Sequence, residues 1–371
     1  MSASLTVTFN RLADIAVLGA DWRSLETRAQ ATFFLTWDWI GPWLETAGGA
    51  PIVARVIRDG RLAGLALFHV VRVRRHGFLP LRLAVLNETG EKQKDVAYME
   101  YNGALAEKGA EAAVLNAIVA ALARVADAPD FDAIRLGGLP QSLAQALDPA
   151  GLRLRTVTSE PTARVDLQAL RAGGGDYLAG LSSNARQQIR RSLRLYEARG
   201  PVRLEAASSL DEAQSYFGEM QALHQATWAA RGEPGAFAAP FLETFQRRVI
   251  DQAFAGGRVE LLRLAAGDDA LGYFYNFVHD GWVGAYMSGI AYEADNKLKP
   301  GLTGYALLVE RHLALGHDVV DFLAGDDAYK TRLGRPGEAM VWLSLEKPLL
   351  RFAVASGLRA IKRRLAPQAA L

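Results

Sequence analysis

The sequence contains no cysteine among its 371 residues. Disulfide bonds, thiolate metal ligands and a cysteine nucleophile are therefore excluded. Histidine is also scarce, and the six histidines lack the paired spacing of a zinc-binding helix, so the sequence predicts no metal site. The glycine-rich signatures of serine hydrolases, P-loop proteins and dinucleotide-binding folds are missing as well.

Targeting signals and long apolar runs are absent too. The first residues lack a basic stretch followed by an apolar core, and no run of about 18 apolar residues occurs, so we expect neither a signal peptide nor a membrane span. With the missing cysteine, this predicts a cytoplasmic protein. The net charge of only +2 argues against a general nucleic-acid binder.

What is present is a globular composition, with 50% apolar and 22% charged residues. The length exceeds what one hydrophobic core usually supports, which predicts two domains. Helix, hairpin, strands, helix and strand follow in a similar order in each half of the chain. In the first half, an aromatic helix is predicted within 33–47, and Asp59–Gly60 forms the turn of the hairpin. In the second half, a long helix is predicted to begin after Ser209, a good N-cap residue. We therefore predict two α/β (α+β) domains, over 1–165 and 166–346, and a basic amphipathic tail over 347–371.

A strand, a loop and a helix near the end of the second domain form the most informative unit. The strand Trp282–Tyr292 leads to a helix that begins with Pro300 and Gly301. Proline has no amide hydrogen, glycine permits close approach, and we expect the amides from Gly301 to Gly304 to converge on one point. Such a helix start binds an anion such as a diphosphate, although proline and glycine also begin many helices that bind nothing.

This unit resembles the acyl-CoA-binding core of the GNAT acyltransferases. The usual GNAT loop reads Arg/Gln-x-x-Gly-x-Gly/Ala, whereas residues 298–303 read Leu-Lys-Pro-Gly-Leu-Thr. The chain is similar to the CelD-like branch, acetyltransferases of bacterial exopolysaccharide synthesis, at Pro300–Gly301, Asp321–Phe322, Gly325 and Tyr329–Lys330. That branch is related to the Fem-type peptidyltransferases, which are tandem GNAT domains.

The Fem-type resemblance extends over about 30–345. Fem-type enzymes carry Phe-Lys-x-x-Phe-Gly, and residues 329–334 read Tyr-Lys-Thr-Arg-Leu-Gly. Segments 223–237 and 186–194 also resemble that branch. The resemblance implies tandem GNAT-like domains, each a mixed and mostly antiparallel sheet flanked by helices.

The resemblance further implies that the second domain binds acetyl-CoA or another acyl-CoA. The matching positions are Met287, Ser288, Gly289, Ile290, Lys297, Lys299, Gly301, Leu302, Thr303 and Gly304. The two lysines would add positive charge near a diphosphate. Because the chain has no cysteine, we expect direct attack of an acceptor on the thioester, with the acceptor lodged between the domains.

Four residues are candidates for the chemistry: Lys330, Tyr329, His224 and Asp326. Lys330 is either an oxyanion-stabilising or anion-binding cation or a solvated lysine beside two aspartates. Tyr329 is either the acid for the leaving thiolate or an aromatic packing residue. His224 has a pKa suited to deprotonating an amine, but a lone histidine is more often structural. Asp326 is a second candidate base.

The candidates for acceptor binding are Arg186, Arg190, Trp228, Tyr286 and Arg332. Arg186 and Arg190 lie four residues apart and form a ridge with Arg194, which suits a phosphate on the acceptor or is a solvated basic face. Trp228 follows His224 by one helical turn and either walls the acceptor site against a sugar ring or packs in the core.

The function that the resemblance implies is N-acetylation of an amino sugar in a bacterial exopolysaccharide or envelope glycan precursor, which could be lipid-linked. A Fem-type aminoacyl transferase using charged tRNA is one alternative. Another is a non-catalytic GNAT-like protein that senses cyclic di-GMP for a polysaccharide machine.

The tail over 347–371 carries six basic and no acidic residues. Its apolar residues align on one helical face, a pattern typical of a helix lying on an anionic membrane surface. This would place the protein at the inner face of the membrane. Docking on a domain, or binding of cyclic di-GMP by the tail arginines, are the alternatives.

Overall fold

The computed structural model of the protein describes residues 4–75, 79–97, 99–124, 129–349 and 352. In chain order its main elements are β1 (Leu5–Arg11), α1 (Ile15–Glu26), α2 (Trp37–Ala47), β2 (Ile52–Arg58), β3 (Arg61–Arg75), β4 (Leu79–Leu86), β5 (Leu105–Ala106), α3 (Glu111–Arg124), β6 (Ala133–Pro140), α4 (Gln141–Gln145), β7 (Arg153–Glu160), β8 (Thr162–Asp166), α5 (Leu167–Ala172), α6 (Ser183–Glu197), β9 (Val202–Ala206), α7 (Leu210–Ala230), α8 (Pro240–Ala253), β10 (Val259–Ala266), β11 (Asp269–His279), β12 (Trp282–Ile290), α9 (Pro300–Ala314), β13 (Val319–Ala324), α10 (Ala328–Leu333), β14 (Arg335–Pro336) and β15 (Met340–Glu346).

These elements form two compact units. Unit 1 comprises Met1–Ala31, Gly49–Ser159 and Val341–Leu371, and unit 2 comprises Thr32–Gly48 and Glu160–Met340. The predicted ranges 1–165 and 166–346 were continuous, whereas the observed units are interleaved along the chain. The aromatic segment 32–48 falls in unit 2, and most of β15 falls in unit 1.

Unit 1 is built on a sheet with the strand order β1-β2-β3-β4-β6-β15-β7, with β5 beside β3. The strands β1 to β4 are antiparallel neighbours, and β4 and β6 are parallel. Asp59 and Gly60 have φ of 51° and 76°, the left-handed conformation of a tight turn, so the predicted hairpin is confirmed. The apolar face of α3 packs on the sheet through Val114, Leu115 and Ile118.

Unit 2 is built on a sheet with the order β14-β8-β13-β12-β11-β10-β9. The strands β9 to β12 are antiparallel, and β12 and β13 are parallel. Helix α9 packs on one face, where Tyr305 meets Phe274 edge-on. Helix α7 packs on the other face, where Phe217 meets Tyr275. The long helix α7 was predicted with Ser209 as its N-cap, and the Ser209 side chain accepts a hydrogen bond from the Glu212 amide.

The segment 32–48 belongs to unit 2 because its aromatic side chains join the core on the α7 face. The ring of Phe33 stacks on Phe277 at 4.2 Å between centroids. Trp39 is fully buried and meets Phe245 of α8 edge-on at 4.7 Å. Local sequence predicted this aromatic helix, but it does not reveal the strands on which the helix packs.

The predicted amphipathic tail lies outside the described residues, apart from 347–349 and 352. Within the part of the chain that the structure describes, none of the helices has the length and apolar character needed to cross a bilayer.

Candidate functional site

The strands β12 and β13 of unit 2 separate after a short parallel pairing. They pair only where Trp282–Gly284 meets Val319–Asp321, and β12 then continues to Ile290. The amide of Ala291 donates to the carbonyl of Leu271 on β11. In an antiparallel ladder only every second residue of a strand bonds to a given neighbour, so Ala291 and Gly289 bond to β11 and Ser288 does not. Ser288 therefore directs its backbone N–H and C=O away from β11, toward the side from which β13 has departed.

Asp321 ends the pairing of β12 and β13. Its buried carboxylate accepts a hydrogen bond from the amide of Leu323 at 2.8 Å and one from the indole N–H of Trp282 at 3.3 Å. Leu323 has a φ of +61°, in the left-handed region that a leucine rarely adopts. The carboxylate thus fixes a turn directly after the last paired residue, and strained backbone of this kind is often found at functional sites.

A β-bulge marks the same point on β12. Tyr275 of β11 faces Met287, but the next residue, Asn276, faces Ala285, so Tyr286 is the extra residue. Bulges bend a strand and re-aim its side chains, and they often border active sites. Tyr286 was predicted to bind substrate, and its hydroxyl accepts a hydrogen bond from Gln246 Nε2 at 3.2 Å.

His224 of α7 lies beside the uncovered edge of β12. Its Nδ1 is 3.3 Å from the carbonyl oxygen of Ser288. A carbonyl can only accept, so Nδ1 carries the proton and Nε2 carries the lone pair. Burial lowers the pKa of His224 below its ordinary value, against the opposing effect of the Ser288 carbonyl. The imidazole is therefore a neutral base at neutral pH.

Two stacked tyrosines lie on the other face of the same edge. The Tyr305 hydroxyl donates to Ser288 Oγ at 3.1 Å, and the ring of Tyr329 stacks on Tyr305 at 4.8 Å. Burial raises the pKa of both tyrosines, so both remain protonated donors at neutral pH. Ser288 therefore has a base on one side and a pair of phenols on the other.

Tyr305 was not among the predicted site residues, although a signal for it exists. It follows Gly301 by four residues, so the two share one face of α9 at the predicted anion-binding end. Tyr329 was predicted as an acid, and the structure places it against Tyr305.

The start of α9 has fewer available amides than the sequence suggested. The amide of Thr303 donates to the carbonyl of Lys299 at 2.9 Å, so within this helix start only the amides of Gly301 and Leu302 precede the first intrahelical bond. The expectation that the amides from Gly301 to Gly304 converge is therefore wrong for the last two. No side-chain hydrogen bond caps this helix start at Lys299.

Thr303 and Gly304 have packing roles. The Thr303 hydroxyl is buried and hydrogen-bonds Ser192 Oγ of α6 at 2.9 Å. A Cβ on Gly304 would lie 2.3 Å from the ring of Phe274, so this glycine lets the helix approach the sheet. By contrast, the nearest atom to a Cβ on Gly301 is 3.7 Å away, on Ile290, the last residue of β12.

The other predicted donor-site residues lie near this helix start or on β12. Met287 and Ser288 are partly exposed, and Gly289 and Ile290 are buried. A Cβ on Gly289 would lie 2.1 Å from the carbonyl oxygen of Met220, so Gly289 permits close packing of α7. Lys297 is exposed, and Lys299 is partly buried with its amide bound to Ser192 Oγ.

Lys330 is buried rather than solvated. Its Nζ donates to the carbonyls of Leu323 and Ala324 and lies 3.8 Å from Asp327 Oδ2. The ammonium group therefore satisfies the carbonyls of the strained turn after β13. This gives Lys330 a structural role in shaping the edge of the site, and its role as an oxyanion stabiliser stays a prediction.

The remaining predicted residues are at the surface. Asp326, Arg190 and Arg332 are exposed, while Arg186 donates to the carbonyl of Ala179 at 3.1 Å. Trp228 is partly exposed, with its ring centroid 6.0 Å from that of His224. Of the predicted residues, His224, Ser288 and Tyr329 come together at the edge of β12, and Trp228 flanks His224.

In unit 1, residues of the chain itself fill the corresponding place. The parallel strands β4 and β6 pair over Leu83–Val85 and Ala133–Arg135. Directly beyond them, Asn87 Nδ2 donates to Asn102 Oδ1 at 2.9 Å, and the amide of Asn102 donates to the carbonyl of Gly138 at 2.9 Å. Since the buried asparagines close this edge, an open strand edge is a feature of unit 2.

Metal binding is not suggested by the described part of the chain, where no group of three or more histidine and acidic side chains is arranged to hold an ion.

The comparisons with known proteins agree with this geometry. Residues 183–331, from α6 into α10, match the family model described as "Acetyltransferase (GNAT) domain". The matched residues all lie in the second unit, which is therefore similar to a GNAT domain. A search of curated proteins by sequence finds no match.

Solved structures resemble the whole chain in fold. FemX aligns with a TM-score of 0.61 at 11% identity, covering 94% of this chain and 99% of FemX. A conserved protein from Bacteroides thetaiotaomicron aligns with a TM-score of 0.55 at 10% identity, covering 92% of this chain and all (100%) of its own. L-PGS from Bacillus licheniformis gives 0.53 at 10% identity, covering 92% and 96%. The predicted tandem GNAT-like fold is therefore confirmed.

Proposed function

We propose that this protein is an acyl-CoA-dependent N-acyltransferase whose donor site lies along the open edge of β12. The observation that carries the proposal is the arrangement around Ser288, with the neutral base His224 on one side and the phenols of Tyr305 and Tyr329 on the other. The open backbone of Ser288 suits the amide-containing arm of a coenzyme A thioester, because extended amides pair with strand edges. The uncapped start of α9 suits its diphosphate.

The side chains divide the proton transfers of the reaction between them. The acceptor nitrogen forms a bond to the thioester carbonyl carbon while the C–S bond breaks. His224 Nε2 takes the proton that the amine loses, and the tyrosine pair returns a proton to the departing sulfur, so charge and atoms balance. Raised pKa values keep the tyrosines protonated until the thiolate, a stronger base than a thioester sulfur, is released.

The proposed acceptor is an amino sugar of a bacterial exopolysaccharide or envelope glycan precursor, with acetyl-CoA as the donor. The partly exposed ring of Trp228 beside His224 supports this choice, since aromatic faces stack on sugar rings. The sequence of the tail supports contact with an anionic membrane surface as part of this proposal, and binding of cyclic di-GMP by its arginines is the alternative.

The test is calorimetric titration of acetyl-CoA into the wild type and two glycine variants. Gly301→Trp places an indole at the helix start and should abolish micromolar binding. Gly180→Trp is the matched control, because a Cβ there has no described atom within 4 Å and the residue is exposed. Binding that both variants retain would contradict this donor site.

A wild type that does not bind acetyl-CoA at millimolar concentration would overturn the acetyl-CoA proposal. Transfer from a charged tRNA under the same conditions would then favour the Fem-type alternative. Binding of cyclic di-GMP without any donor would favour the sensor.

A further inference from the structure

Several buried polar atoms on the α7 face of the GNAT domain have no hydrogen-bond partner among the described residues, and they include His224 Nε2, Gln246 Oε1 and Tyr275 Oη. Both Gln246 and Tyr275 are fully buried. Buried polar atoms are nearly always satisfied, so a group of unsatisfied ones in one layer indicates a position for a polar ligand group. His224 already has a place in the proposed reaction, whereas Gln246 and Tyr275 do not.

Gln246, Tyr275 and Tyr286 form one cluster beneath the β-bulge. The Gln246 amide nitrogen donates to the Tyr286 hydroxyl at 3.2 Å, and the rings of Tyr275 and Tyr286 lie 5.8 Å apart at a nearly perpendicular 86°. The cluster connects to the base through aromatic contacts, since Phe217 meets Tyr275 and Phe237, and Phe237 meets His224. It therefore lies in the same layer as the proposed base.

The chemistry of this cluster selects its ligand. Tyr275 Oη supplies a donor and Gln246 Oε1 supplies an acceptor, and a hydroxyl group is the smallest ligand group that satisfies both. The two ligand-binding members are uncharged, because Gln246 is an amide and burial raises the pKa of Tyr275 well above its ordinary value. A carboxylate or phosphate there would lose its hydration without gaining a counter-charge from the cluster.

We propose that Gln246 and Tyr275 are specificity-determining residues that bind a hydroxyl group of the acyl acceptor whose amine His224 deprotonates. This inference rests on the proposed function and narrows it to neutral, hydroxyl-bearing amines such as amino sugars. Tyr286, on the bulge, holds the Gln246 side chain so that its oxygen faces the ligand.

The experiment is calorimetric titration of D-glucosamine into the CoA-saturated protein. The key variant is Tyr275→Phe, which removes one hydroxyl that has no protein partner among the described residues and should therefore fold. We expect it to weaken glucosamine binding at least tenfold while leaving the affinity for acetyl-CoA and for cyclohexylamine, an amine without hydroxyls, unchanged. Gln246→Leu should show the same selective loss.

Tyr196→Phe is the matched control, because Tyr196 is another fully buried tyrosine, on α6 at the opposite face of the sheet. It should bind glucosamine like the wild type. If Tyr275→Phe keeps the wild-type affinity for glucosamine but has a lower Tm, the hydroxyl of Tyr275 in the wild type binds a structural water, and the inference is wrong.

The outcomes separate the two proposals. A wild type that binds acetyl-CoA but not glucosamine overturns this inference and leaves the donor site standing. A wild type that binds no acetyl-CoA overturns the proposed function. In that case titration of glucosamine without CoA still decides the inference, which survives only if Tyr275→Phe selectively loses binding.

Discussion

His224 Nδ1 lies 3.3 Å from the carbonyl oxygen of Ser288, at the edge of β12 that β13 leaves uncovered. Because the carbonyl can only accept a hydrogen bond, Nδ1 carries the ring proton and Nε2 is left as the basic nitrogen. The same serine accepts the hydroxyl of Tyr305 through its side chain. One residue of β12 thus aligns groups from two helices on opposite faces of the sheet.

A pH profile tests the role of His224. Burial lowers the pKa of His224 below its ordinary value, so the imidazole is mostly neutral at pH 7, and acyl transfer should be lost as the pH falls through that lowered pKa. His224→Ala should lower kcat/KM by about 10²–10⁴-fold and remove this limb of the profile. The measurement is kcat/KM against pH for both proteins.

His69 of unit 1 provides the control for this profile. Its Nδ1 is 2.8 Å from the carbonyl of Glu88, and burial lowers its pKa as well. His69→Gln should leave the acidic limb in place. A profile that His69→Gln changes and His224→Ala does not would exclude His224 as the base.

Alanine substitution at two glycines of α9 should distinguish a glycine needed for packing from one that leaves room for a ligand. Gly304→Ala places a methyl group 2.3 Å from the Phe274 ring, and this overpacking should cost about 1–3 kcal/mol in the free energy of unfolding. Gly301→Ala meets nothing closer than 3.7 Å, and its stability should be unchanged or higher by up to about 1 kcal/mol. Urea denaturation of the two variants measures both effects, and equal stabilities would show that the contact with Phe274 relaxes without cost.

Lys330 should prove structural in an unfolding experiment. Lys330→Met removes the donor from the buried carbonyls of Leu323 and Ala324, and each orphaned group costs about 1–3 kcal/mol. The exposed Lys297 is the control, and Lys297→Met should change stability by no more than about 0.5 kcal/mol. Urea denaturation is compared with kcat and KM. A Lys330→Met protein of wild-type stability with a reduced kcat would instead support an oxyanion role.

Local sequence patterns predicted most elements of the structure. The turn at Asp59–Gly60 and the N-cap at Ser209 each carry their own chemical signal, and both are found as expected. The sequence gives no such signal for the strands that pair with β15, because the alternation of apolar and polar residues shows which face of a strand is buried and not which strand lies beside it. The sequence placed this strand in the second domain, whereas its hydrogen-bonded neighbours are β6 and β7.

The site was predictable in its residue types and less so in its geometry. Family resemblance pointed to His224, Ser288 and Tyr329, which the structure brings to one strand edge. Tyr305 was missed because a tyrosine inside an apolar helix looks like core. Lys330 and Gly304 were read as ligand-binding, yet their contacts with Ala324 and Phe274 arise only once the chain is folded.

The position of β15 has a consequence for synthesis of the chain. This strand, Met340–Glu346, lies between β6 and β7 in the interior of the unit 1 sheet. Unit 1 therefore lacks one of its interior strands until the ribosome has passed residue 346, by which time every described strand of unit 2 has been made. Domains usually fold in the order of their synthesis. Here the unit that begins first at the ribosome is completed last, and β6 must wait with an exposed edge until the final strand arrives.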